Sequence, residues 1–238
     1  MLGFSHATSG ALGWFLAAPA VANLIGQPLT APELAVGAVA CAGAALIPDL
    51  DHPQATIAWT FGPISKAAAR LTALLAGGHR QGTHSLLFSI GFGAFCYLVG
   101  TSTKWLDSNT PAMILMFCLA AFAFRGMNIV PPRTSGTLKG IVVLLEAAAL
   151  TYLMTFFMPS SWWWLGMAGA MGAIIHLIGD SLTPEGVPWF YPARWRLAIP
   201  IISHTGNIFE RAIVGPLFVI ATFWQIYVHF GPLIGLKF

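Results

Sequence analysis

Formal charge is scarce in this 238-residue sequence: Asp, Glu, Lys and Arg make up only 8% of it, against about 25% in an ordinary soluble domain. Eleven basic and eight acidic side chains cannot cover a chain of this length in water. Much of the exterior must face an apolar medium, and lipid is the simplest one. The net charge of +3 is spread over few, dispersed basic residues, which excludes the footprint of a nucleic-acid binder. Cysteine is scarce too. Cys41, Cys96 and Cys118 stand singly in apolar runs, with neither the even count of a disulfide framework nor a CxxC spacing, and read as small core residues. The start MLGFSHATSG lacks the basic region and cleavage signal of a secretory peptide, so the N-terminus is expected to be retained.

Apolar residues, by contrast, make up 57% of the sequence, with 17 Phe and nine Trp. They gather in runs at 4–25, 34–47, 84–100, 111–124, 140–157, 162–179 and 212–230. These predict about seven membrane crossings. Trp14, Trp59, Trp105, Trp189 and Trp195 lie near segment ends, and Trp162, Trp163 and Trp164 open a later run, as interfacial aromatic belts do. Residues 57–77 differ. Lys66 and Arg70 are four apart, and Ile64, Leu71, Leu74 and Leu75 supply apolar positions, the pattern of an interfacial amphipathic helix at the cytoplasmic face. The expected fold class is all-α: a polytopic transmembrane bundle forming one integral membrane domain over 1–238.

With the N-terminus in the cytoplasm, Lys66, Arg70, Arg80, Arg125, Arg133, Lys139, Arg194, Arg196 and Arg211 all fall on the cytoplasmic side, and only Lys104 and Lys237 fall opposite. That bias follows the positive-inside rule for short loops and predicts a multi-pass protein of a bacterial inner membrane.

On this topology four polar clusters arrive at the cytoplasmic ends of their segments: His6, PDLDH at 48–52, HRQGTHS at 79–85 and HLIGD at 176–180. His176 and Asp180 are four apart and share a helical face. Imidazole and carboxylate are both ligands for zinc or another divalent metal, although such a pair also serves as a hydrogen-bonded helix contact. Pro48 ends its helix and aims Asp49 and Asp51 into one turn, with His52 close behind. Carboxylates at a membrane boundary need a partner, water or a cation. His79 and His84 bracket a Gly82-containing entry to the next helix, where Thr83 or Ser85 can cap exposed amides. One of these histidines suits a metal and the other proton transfer. His6 has Gly10 one turn later, which leaves room for another element beside the imidazole.

The expected metal ligands are therefore Asp49, Asp51, His84, His176, Asp180 and His6, with His79, Asp49 and His52 in catalytic roles. Arg80, Arg194 and Arg196 suit a phosphate or simply hold the cytoplasmic orientation. Thr83, Glu185, Asn207 and Glu210 are candidate supporting residues, and Glu210 beside Arg211 also reads as a plain ion pair. His204 and His229 have no clear part, and Glu146 lies within a span, where an acid faces a cavity or a partner. Together these point to one or two divalent ions, zinc first and manganese or another metal as alternatives. Such ions would activate water against a phosphoester of a phospholipid or lipid-linked phosphate. A metal-stabilised membrane scaffold and an ion-coupled transporter are the competing readings.

PDLDHP, GHRQGTHS, HLIGDSLTPEGVPWFYP with RWR, and GNIFER resemble the YdjM-like bacterial inner-membrane proteins over residues 1 to about 230. Those proteins are described as metal-dependent hydrolases, some regulated by LexA. The resemblance implies a polytopic inner-membrane fold and metal roles for Asp49, Asp51, His52, His79, His84, His176 and Asp180. HLIGD is also similar to the HxxxD element of zinc-dependent phospholipase C and related nucleases, which implies phosphoester chemistry over that short stretch.

Overall fold

The structure, a computed structural model, describes all residues except 132, 133, 135, 159–161 and 236–238. Arg133 and Lys237, used above for topology, thus lie outside the described residues. Nine α-helices follow one another among the described residues: α1 (Gly3–Leu24), α2 (Ala31–Ala44), α3 (Pro63–Ala76), α4 (Leu86–Thr101), α5 (Thr103–Leu106), α6 (Thr110–Met127), α7 (Gly136–Phe157), α8 (Trp164–Ser181) and α9 (Gly215–Phe230). No strand occurs among them beyond one isolated antiparallel bridge, Val187 to Leu197.

Five segments are long and apolar enough to cross a membrane: Ala31–Asp51, Leu86–Leu106, Thr110–Met127, Gly136–Phe157 and Glu210–Ile234. The two remaining expected spans form the long helices α1 and α8 but are less apolar, because they carry Ser5, His6, Thr8 and Ser9, and His176 and Asp180. These two helices, with α2, are also the most buried.

Local chemistry sets several boundaries. Thr30 and Glu33 form a reciprocal capping box at the start of α2, with proline in the first turn. The Ser85 hydroxyl accepts from the Phe88 amide to cap α4. The stretch 57–77 is not one helix: a short 3₁₀ turn, Thr56–Trp59, precedes α3, and Gly62 turns between them at φ +59°. Along α3, Ile64, Leu71, Leu74 and Leu75 are exposed while Ser65 and Ala69 face the fold.

Small residues bring α1 and α8 onto the end of α2. A Cβ at Gly10 would stand 2.9 Å from the Cys41 carbonyl oxygen, and one at Gly172 only 2.5 Å from that same atom. Close backbone approach of this kind is how membrane helices pack without a hydrophobic driving force. Its consequence is positional. His6 lies one turn before Gly10 and His176 one turn after Gly172, so the two contacts deliver both imidazoles to the place where α2 ends.

Candidate metal centre

Beyond Ala44 the chain tightens into a 3₁₀ turn, Ile47–Asp51. Helix ends leave carbonyls without intrahelical partners, and one of these, on Ala45, meets His176 Nδ1 at 2.7 Å. A carbonyl can only accept, so Nδ1 carries the proton. The lone pair of neutral His176 is then on Nε2, facing the centre. His84 is held in the same sense: its Nδ1 lies 3.2 Å from Asp51 Oδ2 and 3.1 Å from the Thr83 hydroxyl. Its Nε2 also faces inward.

Two more oxygens close the group. Asp49 Oδ1 is 3.7 Å from Nε2 of both His84 and His176, and Asp180 Oδ2 is 3.6 Å from each. The two Nε2 atoms are 3.2 Å apart. Nitrogen and oxygen donors at about 2.0–2.2 Å from a tetrahedral cation stand roughly 3.3–3.6 Å from one another. The donor set Asp49, His84, His176 and Asp180 therefore fits a divalent ion in number, chemistry and spacing. Without a cation or added protons, four electron-rich atoms would face each other in a buried site, at high electrostatic cost.

Among the described residues a second group overlaps the first: Asp49, Asp51, His79 and His84. Asp51 is differently placed from Asp49. It is buried and already accepts from His79 Nδ1 at 2.7 Å, the Arg80 amide at 3.0 Å and the Thr83 hydroxyl at 2.5 Å. Its geometry is that of a carboxylate orienting ligand imidazoles, a recurrent arrangement around metals. Burial disfavours the imidazolium of His84, but the neighbouring carboxylates of Asp49 and Asp51 outweigh it, pushing its pKa up to about 9.

The other expected residues sort by their partners. His6 is in neither donor group. It stacks on His176 at 3.8 Å between ring centroids and meets Asp180 Oδ1 through Nε2 at 3.1 Å, which makes it a brace for two ligands. Asp180 Oδ1 also receives the Met1 amino group at 2.5 Å. His79 is half-exposed and, with Asp49, His52 and Arg80, lines a cavity of about 470 Å³ over the centre. His52 packs edge-on against His79 and accepts from the Gln54 amide, outside both donor groups.

Arg80 sits at φ +56° with its side chain buried. It binds Asp180 Oδ2 and Glu185 at 3.0 Å each and the Thr183 hydroxyl at 3.1 Å. Its terminal guanidinium nitrogens thus pair inside the protein, where a phosphate ligand or a plain orientation charge was expected. Arg196 is likewise spent on the carbonyls of Arg80, Glu185 and Gly186. Arg194 alone of the three is exposed, beside Gln81 and Tyr191 in a polar cavity of about 560 Å³.

Asn207 and Glu210 cap the helical segment, Glu210–Val214, that leads into α9, and are not at the centre. The Asn207 side chain accepts from the Glu210 amide, and the Glu210 carboxylate accepts from the amides of Gly206 and Leu2. An Asn followed three residues later by Glu is the capping-box spacing, so this role had a sequence signal. Thr183 and the Ala45 carbonyl had none, because both act across long chain separations.

The chain matches the family model described as YdjM inner membrane protein over residues 1–130 and 139–235. The chain belongs to this family. Members similar to it include the inner membrane protein YdjM of Escherichia coli (strain K12) and that of Shigella flexneri. Each is 28% identical over 184 residues, covering 77% of this chain and 61% of the relative. The match thus spans less than two thirds of the length of those YdjM proteins. The uncharacterized protein YvsG of Bacillus subtilis (strain 168) is 25% identical over 186 residues, 78% of this chain and 75% of the relative. No solved structure matches. The chain thus belongs to a family of inner membrane proteins, and its five helices apolar enough to cross a bilayer agree with several passes.

Proposed function

We propose that this protein is a membrane phosphoesterase whose divalent ion is held by Asp49, His84, His176 and Asp180 where α1, α2 and α8 meet. One observation carries the reading: four donors from three separate chain regions lie within 4.8 Å of one another, the two Nε2 atoms 3.2 Å apart and 3.6–3.7 Å from the carboxylate oxygens. An ion held there supplies Lewis acidity, offsetting charge on a phosphoryl oxygen and making water nucleophilic near neutral pH. The two nitrogens and two oxygens favour zinc, with manganese or a second ion at the overlapping group as alternatives.

The remaining steps belong to the chain's own residues. Asp51 fixes the His84 tautomer and holds His79 Nδ1, which leaves His79 Nε2 to exchange a proton in the open cavity. Arg80 pairs with Asp180 Oδ2, and His6 holds that carboxylate's other oxygen. Arg194, the exposed one of the three arginines, lines a separate polar cavity with Gln81 and Tyr191, where a guanidinium suits an anionic group. Full topology in this reading comprises seven crossings with α3 lying in the interface and the site facing the cytoplasm. The basic residues of the short loops support that orientation, and the exposed Ile64, Leu71, Leu74 and Leu75 of α3 support contact with lipid.

The test is metal analysis of the purified protein coupled to phosphate release from a panel of phospholipids and lipid phosphates. Wild type is expected to carry zinc and turn over at least one phosphoester. Folded His176→Ala and Asp180→Ala variants are expected to lose both. Bound metal without any turnover would favour the scaffold reading. A metal-free wild type, or folded variants with undiminished turnover, would overturn the proposal.

A further inference from the structure

A second, apolar cavity of about 370 Å³ lies between α1, α2 and α9, with Met127 and Ile129 at one end. Phe4, Ala11, Phe15, Ala38, Val219 and Phe223 are among the residues that form its walls. Thr8 and Thr222 also line it, yet each hydroxyl donates to the carbonyl one turn back, of Phe4 and Phe218, at 2.8 and 2.7 Å. Their hydrogen-bonding protons are spent within their own helices. The lining therefore offers no hydroxyl proton, is otherwise apolar and suits hydrocarbon.

Its position ties it to the metal centre. Met1, Leu2 and Gly3 line the polar cavity over the donors, and the next residue, Phe4, lines the apolar one. From Phe4 the groove follows α1 past Thr8 and Ala11 to Phe15, about 17 Å at 1.5 Å per residue. One leaflet of a bilayer is about 15 Å of hydrocarbon. At the far end Phe15 packs on the rings of His229 and Phe230. The groove thus begins next to the residues that line the polar cavity and runs about one leaflet deep.

We infer that this groove holds one hydrocarbon chain of the substrate lipid, with its phosphate-bearing headgroup in the polar cavity beside Asp49 and His79. The headgroup part rests on the phosphoesterase reading, and the chain part on the groove alone. A lipid reaching the site from the same leaflet then needs no extraction into water. The walls at Ala35, Ala38 and Ala11 are low because alanine leaves the space that the chain takes.

The experiment uses the full chain in discs of dioleoylphosphatidylcholine, with phosphatidic acid carrying a photoreactive group in mid-chain as the probe. Label is expected to concentrate on the groove residues of α1, α2 and α9. Excess unlabelled phosphatidic acid should lower it, while diacylglycerol with the same chains should not. Ala35→Phe and Thr222→Phe put a ring into the groove from exposed and half-buried positions. They should cut labelling by about fivefold or more with metal content unchanged. Label spread evenly over the lipid-facing helices, or displaced equally by diacylglycerol, overturns the inference. Phosphate release in the same discs separates the two readings: a labelled groove without release supports the groove and removes the hydrolase, whereas release without groove labelling removes the groove.

Discussion

Asp51→Asn separates a ligand-orienting carboxylate from a ligand. Asp51 accepts three close hydrogen bonds, from His79, Arg80 and Thr83, and lies 3.2 Å from His84 Nδ1. Asparagine keeps one oxygen, which can continue to serve the Arg80 amide, Thr83 and His84, while its amino group turns toward His79. The packing is thereby retained and the negative charge removed. His84 loses the partner that makes it basic and fixes its tautomer. Replacing such orienting groups costs about 10–100-fold in metal affinity, or roughly 1.4–2.7 kcal/mol. The assay is competition for zinc against a chromophoric chelator in detergent, with thermal melting of the metal-free variant as the fold check. An affinity equal to wild type in a folded Asp51→Asn protein would refute the reasoning, as would a loss as complete as that from Asp180→Ala.

Further outcomes follow from the same geometry. The free His84 imidazolium, with its pKa near 9, must lose a proton to bind metal. Apparent zinc affinity should therefore climb about tenfold per pH unit from pH 7 and level off near pH 9. In the metal-free protein the sign reverses: the stabilisation from this raised pKa is complete below the unfolded value of about 6.5 and fades as pH rises through 9, which chelator-treated melts would reveal. Gly172→Ala drives a methyl into the Cys41 carbonyl and should cost about 1–3 kcal/mol of stability together with metal affinity, read by melting and zinc titration. Glu210→Gln should lower the melting temperature by weakening the hold on the Gly206 and Leu2 amides while metal stoichiometry is kept.

Much of the architecture was legible because its signals are local. Apolar runs marked five helical segments long and apolar enough to cross a membrane, and HLIGD gave two donors on one face because an i, i+4 pair needs only a helix. The four polar clusters do meet. Less legible were the differences within clusters. Asp49 and Asp51 look alike in sequence, but a 3₁₀ turn points one at the ion site and the other back at its supports. His6 and His176 resemble each other equally, yet only His176 meets a free main-chain carbonyl. The internal partners of Arg80, namely Asp180, Thr183 and Glu185, were not legible because they lie about a hundred residues away and no short spacing announces them. The break at Gly62 was hidden by the continuous helical period on its far side.

His176 owes its orientation to the Ala45 oxygen, an atom of the polypeptide itself. A carboxylate in that place could be deleted by one codon change, but a main-chain acceptor survives every substitution at its own position. Tuning this imidazole therefore requires moving the end of α2, so the electronic state of one ligand and the pitch of a membrane helix are a single variable.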